Sequence, residues 1–289
     1  MSSSPPDKPT FRIEGLMEIS DGEFHSLRNL IFKHFGIHLS EAKRSLLVRR
    51  LQNLLKELKF TTFKEYYHYL TNHPNDQNFT ELVNRITTNY TFFNREPAHF
   101  EYFAKVVLPQ ISKELMNQGR RDLRVWCAAA STGEEPFMLS ILMHEFFGMH
   151  YTNWDAGVLA TDISQRALDK AIEARYAVDE FENMPKDLVD RYFTKAGPGF
   201  YQAKPRLKKD VTYRRFNLNN HAYPFKKPFD VVFCRNVMIY FNDETKEKVL
   251  QNLYKSMKSG AYLFMGHSES IMQYSSIFKY IQPAVYRRI

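Results

Sequence analysis

Apolar residues recur at two different spacings along this chain, and the two spacings divide it. From Ser20 to about Tyr90 the pattern is helical throughout. "SDGE" (Ser20 to Glu23) and "TFKE" (Thr62 to Glu65) have capping-box spacing, each ahead of an apolar-periodic segment. Between them Leu47, Leu51, Leu54, Leu55 and Leu58 fall on one helical stripe, with Arg49, Gln52, Lys56 and Lys59 opposite. That polar face reads either as solvated surface or as a docking face for something acidic. A further helix is expected over about Pro97 to Asn117. Beyond it come short apolar runs, "LRVWCAAAS", "GVLATDIS", "VTYRRFNL", "FDVVFCRN" and "AYLFMGHS", with helical patterns at Glu134 to Phe147, from Ser164, and at Asp243 to Met257. Buried strands alternating with helices predict an α/β fold with a mostly parallel, doubly wound sheet, closed by a strand or hairpin that includes "AVYRRI".

The polar residues of the second half gather where such a sheet binds ligands, beyond the carboxyl ends of its strands. The first run leads into Ala130, Ser131, Thr132, Gly133 and Glu134, and the second ends in Asp162. The third ends in Asn217 and Leu218, and the fourth in Arg235 and Asn236, with Tyr240 one turn on. Singly, each has a plain structural explanation as a turn former, helix cap or surface charge. Together they share one edge of one sheet. Ahead of the sheet, "TTNYTFFNREPAHF" (Thr87 to Phe100) sets Thr, Asn, Arg, Glu and His among four aromatic rings. Polar groups buried there need partners, and Arg95 needs an anion.

Composition narrows the setting. At 44% hydrophobic and 25% charged the chain is globular, and 24 Phe with 17 Tyr can build a sizeable core. Cys127 and Cys234 sit inside apolar runs and read as small buried residues, which fits a reducing, cytosolic setting. No apolar run approaches the roughly 20 residues that span a bilayer, and residues 1–18 read as a disordered tail without a signal region. The net charge of +8 permits a nucleic-acid partner but equally an acidic protein surface.

An acid at Asp162 suits ribose hydroxyls. The loop "CAAASTGEEP" has one glycine, no G-x-G-x-x-G, and an acidic pair that would repel phosphates. A phosphate-free adenosine cofactor carrying a cation, S-adenosylmethionine, suits it better.

"TTNYTFFNREPAHF", "AAASTGEEP", "LATDIS", "FNLN", "FDVVFCRNVMIYF" and "GHSES", in this order and over nearly the whole chain from Ser20, resemble the CheR family. Its members are chemotaxis receptor methyltransferases, which use S-adenosylmethionine to esterify receptor glutamates and release S-adenosylhomocysteine. The resemblance implies a helical domain over 19–85, a linker and active-site lid over 86–100, and a Rossmann-like methyltransferase domain over 101–289 with a small antiparallel β-subdomain at about 192–215. It implies that Asn89, Thr91 and Arg95 line the site from the linker, that Glu134, Asp162, Asn217, Leu218, Arg235 and Asn236 hold the cofactor from the sheet, and that Arg95 and Tyr240 flank the methyl-transfer position. The substrate would be the cytoplasmic methylation helices of chemoreceptors, with Arg49 and Lys56 steering those acidic helices.

In-line transfer to a carboxylate already ionised at neutral pH needs no general base and no metal. Two departures from the family pattern stand out. Asn94 takes the place of a ring in the usual Phe-Phe-Arg, so lid packing is expected to differ. The stretch "TKAGPGFYQAKPRLKKDVTYRRF" is short for a receptor-tethering subdomain, so no C-terminal pentapeptide tether is expected. The chain is further expected to be a monomer with no interaction module after Ile289, to insert in no membrane and to bind no nucleic acid; "CRNVMIY" lacks the Asn-Pro-Pro-Tyr type motif of base methyltransferases. The alternatives are a catalytically silent, cofactor-binding interaction protein and a methyltransferase for another acidic protein.

Overall fold

The computed structural model describes residues 16–289, so the expected tail, save for Leu16 to Glu18, lies outside the described residues. The chain forms two compact units, one of the described residues up to Thr88 together with Tyr240–Lys246, the other of Asn89–Ile239 with Glu247–Ile289.

The first unit is helical: α1 (Asp21–Phe35), α2 (Arg44–Glu57), α3 (Phe63–Asn72) and α4 (Asp76–Ile86). Both expected capping boxes form. Ser20 Oγ accepts from the Glu23 N–H and the Glu23 carboxylate accepts from the Ser20 N–H, and Thr62 and Glu65 repeat the exchange at α3. Leu47, Leu51, Leu54 and Leu55 of α2 are buried, as their spacing predicts, but Leu58 is 43% exposed. The stripe stops short because α2 ends at Glu57 and Lys59 takes a left-handed φ of 61°, turning the chain away from the helix axis. Arg49 and Lys56 are exposed. Tyr240 belongs to this unit: its carbonyl accepts from the His38 N–H at 2.8 Å, Phe241 bridges Ile37, and Lys43 Nζ lies 5.5 Å from the Tyr240 ring centroid.

The second unit opens with α5 (Pro97–Tyr102) and α6 (Leu108–Asn117), joined by a π-helical turn at Phe103–Val107. The expected single helix is thus interrupted, and Pro109 supplies the reason. It has no N–H for the carbonyl one turn back and its ring would strike that carbonyl, which a wider turn relieves. There follow β1 (Asp122–Ala128), α7 (Glu134–Phe147), β2 (Asp155–Asp162), α8 (Gln165–Glu173), β3 (Arg175–Ala177), α9 (Lys186–Tyr192), β4 (Phe193–Lys195), β5 (Phe200–Ala203), α10 (Pro205–Lys209), β6 (Val211–Arg215), β7 (Phe229–Cys234), α11 (Asp243–Ser256, of which the residues up to Lys246 belong to the first unit), β8 (Met257–Met265), β9 (Phe278–Gln282) and β10 (Val285–Arg288).

The main sheet runs β6-β2-β1-β7-β8-β10-β9. Its first five strands are parallel, and β10 pairs antiparallel with β8 and β9. All six residues of β7 are buried, the mark of a strand covered on both faces. The small antiparallel sheet has the order β3-β5-β4. Its extent differs from the stretch 192–215: it takes in Arg175–Ala177, whereas Val211–Arg215 is the edge strand of the main sheet, parallel to β2. The reason is pairing. β3 is three residues long and shows no apolar run of its own; only β5 makes it a strand. Chain order moves outward from β1 to β2 and β6, then crosses back to β7 and β8, so the order reverses at β1 and a crevice opens at its carboxyl end.

Candidate active site

Register aligns the strand ends. Ala128 of β1 lies beside Thr161 of β2 and Cys234 of β7, and Cys234 lies beside Met265 of β8. The next residue of each strand is therefore at one level: Ala129, Asp162, Arg235 and Gly266. The adjoining loops are conformationally demanding. Of eight non-glycine residues with positive φ among the described residues, five lie here: Asn94, Glu96, Ala129, Ser131 and Asn236. Left-handed backbone at non-glycine residues is held only where surrounding structure enforces it, and it concentrates at functional sites.

At the β1–β2 corner the carboxylate of Asp162 is buried and binds backbone. It accepts from the Ser131 N–H at 2.8 Å and the Ser164 N–H at 2.9 Å. Burial raises its pKa, against the lowering effect of those amides. With the Ile163 N–H also turned to it, the carboxylate has up to three backbone donors and keeps a lone-pair site of the four or so it can offer. Asn89 lies over the same corner. Its carbonyl accepts from Ser131 Oγ at 3.1 Å, and its Nδ2 is 3.5 Å from Ser164 Oγ. Ser164 also caps α8, its Oγ accepting from the Ala167 N–H. Glu134, first residue of α7, is 1% exposed and accepts from Thr132 Oγ1 at 2.8 Å; burial pushes its pKa up to about 7. Gly133 between them has φ 101°, and a Cβ there would meet the Tyr176 hydroxyl at 2.7 Å and the Ala171 Cβ at 2.8 Å, so only glycine fits.

At the β7–β8 corner the side chains are already paired. Arg235, 5% exposed, donates to Glu135 Oε2, to Glu96 Oε2 at 3.0 Å and to the Arg95 carbonyl at 2.6 Å, with Phe100 below its guanidinium. Burial opposes its charge, but the two carboxylates prevail and raise its pKa. Asn236 donates its N–H to Glu269 Oε2 at 2.7 Å, and its Nδ2 is 3.4 Å from Glu96 Oε1. Glu269, buried, also accepts from the N–H groups of Met238 and Gly266, so one carboxylate pins the turn after β7 to the turn after β8. A Cβ at Gly266 would lie 2.6 Å from Asn236 Nδ2, which excludes a side chain.

In the lid segment, Phe93 is fully buried against Phe181, Tyr176 and Phe193. Asn94, with φ 60°, donates from Nδ2 to the Asn183 carbonyl at 2.8 Å. Its presence has a backbone reason: asparagine tolerates the left-handed region better than a phenylalanine would. Thr91 is half-buried in the extended stretch between Tyr90 and Phe92. Arg95 is half-buried, donates from Nη1 to the Tyr90 carbonyl at 2.9 Å and lies over the Tyr90 ring. It does not pair with neighbouring Glu96, which Arg235 occupies.

The structure therefore gathers Asn89, Asp162 and Glu134 about the β1 loop, and Arg235 and Asn236 about Glu96. Asn217 lies two residues beyond β6, its Oδ1 accepting from the Asn219 N–H, and Leu218 is buried with its carbonyl accepting from Tyr223. Tyr240, Arg49 and Lys56 belong to the first unit. Sequence reasoning left Glu96, His99, His267 and Glu269 without roles, and took Glu135 only as half of the acidic pair in the β1 loop. Acids in "NREP", "GEEP" and "GHSES" all flank predicted strand ends or turns, which is the one signal that could have grouped them; their pairing with Arg235 depends on strand register.

A doubly wound sheet whose carboxyl edge gathers a polar loop, an acid with an open acceptor site and a side-chain amide is built to hold an adenosine cofactor, and the chain is an S-adenosylmethionine-dependent methyltransferase: residues 89–286 match the S-adenosylmethionine-binding domain of the CheR methyltransferases. Residues 22–87 match the all-alpha domain of the same family. The chain is similar to the chemotaxis protein methyltransferase of Borreliella burgdorferi, 36% identical over 272 residues that cover 94% of this chain and 96% of that protein. It is also similar to those of Salmonella typhimurium (34% identical over 276 residues, 93% and 92% covered) and Escherichia coli (33% identical over 276 residues, 93% and 92% covered). The chain belongs to the CheR family of chemotaxis methyltransferases. Among the described residues no helix is long and apolar enough to cross a membrane.

Proposed function

We propose that this enzyme transfers the methyl group of S-adenosylmethionine to glutamate side chains on the cytoplasmic methylation helices of chemoreceptors, forming methyl esters and S-adenosylhomocysteine. The observation that carries this reading is the state of Arg95. It is a half-buried guanidinium whose described contacts are a neutral carbonyl and a ring, next to a glutamate already claimed by another arginine. A guanidinium fork that holds no anion suits an incoming carboxylate, which it can grip at two points.

In this reading Asn89, Thr91 and Asp162 hold the adenosine end of the cofactor, with Asn217 and Leu218 beside it. Glu134 faces its cationic end. Arg235 and Asn236 act at one remove, by fixing the turn after β7 and the carbonyl of Arg95. When bound, S-adenosylmethionine would supply a methyl carbon made electrophilic by its sulfonium, which would be lost as a neutral thioether as the glutamate oxygen took the methyl group. The nucleophile is ionised at neutral pH, so alignment and exclusion of water supply most of the rate. The resemblance to the CheR family further assigns Tyr240 to methyl transfer, a ring face being suited to a cation. Arg49 and Lys56, both exposed on one face of α2, steer the acidic helices, and the enzyme acts in the cytoplasm as a monomer without a pentapeptide tether.

Incubating the full chain with methyl-labelled S-adenosylmethionine and a chemoreceptor cytoplasmic fragment should give base-labile label on the fragment, released by alkali as methanol. The reading predicts that Arg95→Ala lowers the single-turnover rate more than Tyr240→Phe does. Raising salt should increase the apparent KM, because exposed charges are screened within about 10 Å at 0.1 M. Cofactor binding without label transfer would make this a silent member of the family. Transfer only to a different acidic protein would replace the substrate.

A further inference from the structure

We propose that Glu96, His99 and His267 form a binding site for a divalent transition metal ion such as Zn²⁺, which would tie the segment entering α5 to the loop leaving β8. The three side chains converge: one ligand atom from each lies within 4.8 Å of the others. His99 Nδ1 is 3.3 Å from Glu96 Oε2, and His267 Nε2 is 3.9 Å from the same oxygen. Metal–ligand bonds of about 2.0–2.1 Å at a tetrahedral angle place donor atoms about 3.3–3.4 Å apart. The first pair already has that spacing. The second needs a closure of roughly half an ångström by His267, whose half-exposed side chain has room to move.

His99 carries the argument further. It is 1% exposed, and its ring nitrogens have only loosely aligned neighbours, the Pro283 backbone and Glu96 Oε2. Buried polar atoms are rarely left with so little, because each gives up its bonds to water on burial. Its close approach to a carboxylate oxygen without hydrogen-bond geometry is what two ligands of one ion would show. A neutral imidazole offers one ring lone pair to a metal ion. The Pro283 backbone favours an N–H on that ring, and such a second contact fixes the tautomer of a metal-bound histidine.

Arg235 is the opposing charge, since it shares Glu96 Oε2. Glu135 offsets it: one guanidinium between two carboxylates leaves that group with a net single negative charge, and a carboxylate oxygen has lone pairs for both a donor and a metal. Two imidazoles and one carboxylate are ligands of borderline softness that suit Zn²⁺, Ni²⁺ or Co²⁺ rather than Mg²⁺ or Ca²⁺. The ion does no chemistry in methyl transfer. Its role is to hold Glu96, and through it the lid residues next to Arg95.

The test uses the full chain, stripped with chelator, dialysed and titrated calorimetrically with ZnCl₂, with Co²⁺ absorption as a second readout. About one equivalent should bind, with a rise in melting temperature on adding Zn²⁺. His267→Ala alters an exposed side chain and should fold. It should weaken that site by on the order of 100-fold and remove the Co²⁺ spectrum, whereas His68→Ala, at an exposed histidine of the first unit, should change neither. Absence of a stoichiometric site in the unmodified chain, or equal affinity in His267→Ala, would overturn the proposal.

Discussion

Two neighbouring corners of one sheet edge handle buried carboxylates in opposite ways. Where β1 and β2 end, Asp162 and Glu134 face backbone amides and a hydroxyl, and burial raises both pKa values. Where β7 and β8 end, Glu96 and Glu135 clasp one buried guanidinium and Glu269 is filled with backbone N–H groups. Although burial opposes it, Arg235 holds the Glu96 carboxyl below its usual range. The first corner keeps acceptor capacity, which the proposed reading gives to a cationic ligand with ribose hydroxyls. The second is paired within itself except at the Glu96 oxygen that His99 and His267 approach, and its work is to keep loops in left-handed conformations that would otherwise relax.

The contrast is broken most severely at Arg235. Arg235→Ala should leave two half-buried carboxylates facing each other without their cation and cost about 3 kcal/mol or somewhat more, read as a fall in the urea midpoint. Removing charge at the other corner should act on binding. Asp162→Asn puts a donor NH2 where an oxygen accepts a buried N–H from Ser131 or Ser164, so stability should fall by about 1–3 kcal/mol; on the proposed ribose contact, cofactor affinity measured calorimetrically should also fall at least about tenfold, or about 1.4 kcal/mol. If Asp162→Asn unfolds the protein as readily as Arg235→Ala does, the division between the corners fails.

A subtler effect lies in pH. The folded-state pKa of Glu134, about 7, stands above its ordinary 4.5, so its protonated form favours the fold. That contribution is full below about pH 4.5 and is lost as pH rises through about 7. The cofactor-free enzyme should therefore lose stability over that window relative to Glu134→Gln, whose urea midpoint should vary less with pH. A bound cation should reduce the loss by favouring the ionised form. The smallest effect is expected at Asn94: Asn94→Ala gives up one hydrogen bond and a tolerated left-handed residue, for about 1 kcal/mol in the same unfolding measurement.

Much of this was legible in the chain. The capping boxes at Ser20 and Thr62, the α2 stripe through Leu55 and the strand-helix alternation that gives a doubly wound sheet all follow from local periodicity, which neighbours in sequence suffice to set. Residue type and position also placed Glu134, Asp162, Asn217 and Arg235 at strand ends. Their partners were not legible. Arg235 is as polar in the sequence as Asp162, and only the register of β1 against β7 reveals that it meets Glu135 and Glu96, about a hundred or more residues away in the chain. β3 became a strand because β5 paired with it, and the π turn arose where Pro109 removed a helical donor.

The sequence by itself determined the periodic elements, the single-glycine loop that refuses phosphate, and the polar edge that a cofactor needs, because each depends on residues adjacent in the chain. Only the tertiary structure decided which acids stay open and which are spent on Arg235, and that Glu96, His99 and His267 converge. Pairing is a property of distance and burial, and both exist only once the strands are in register.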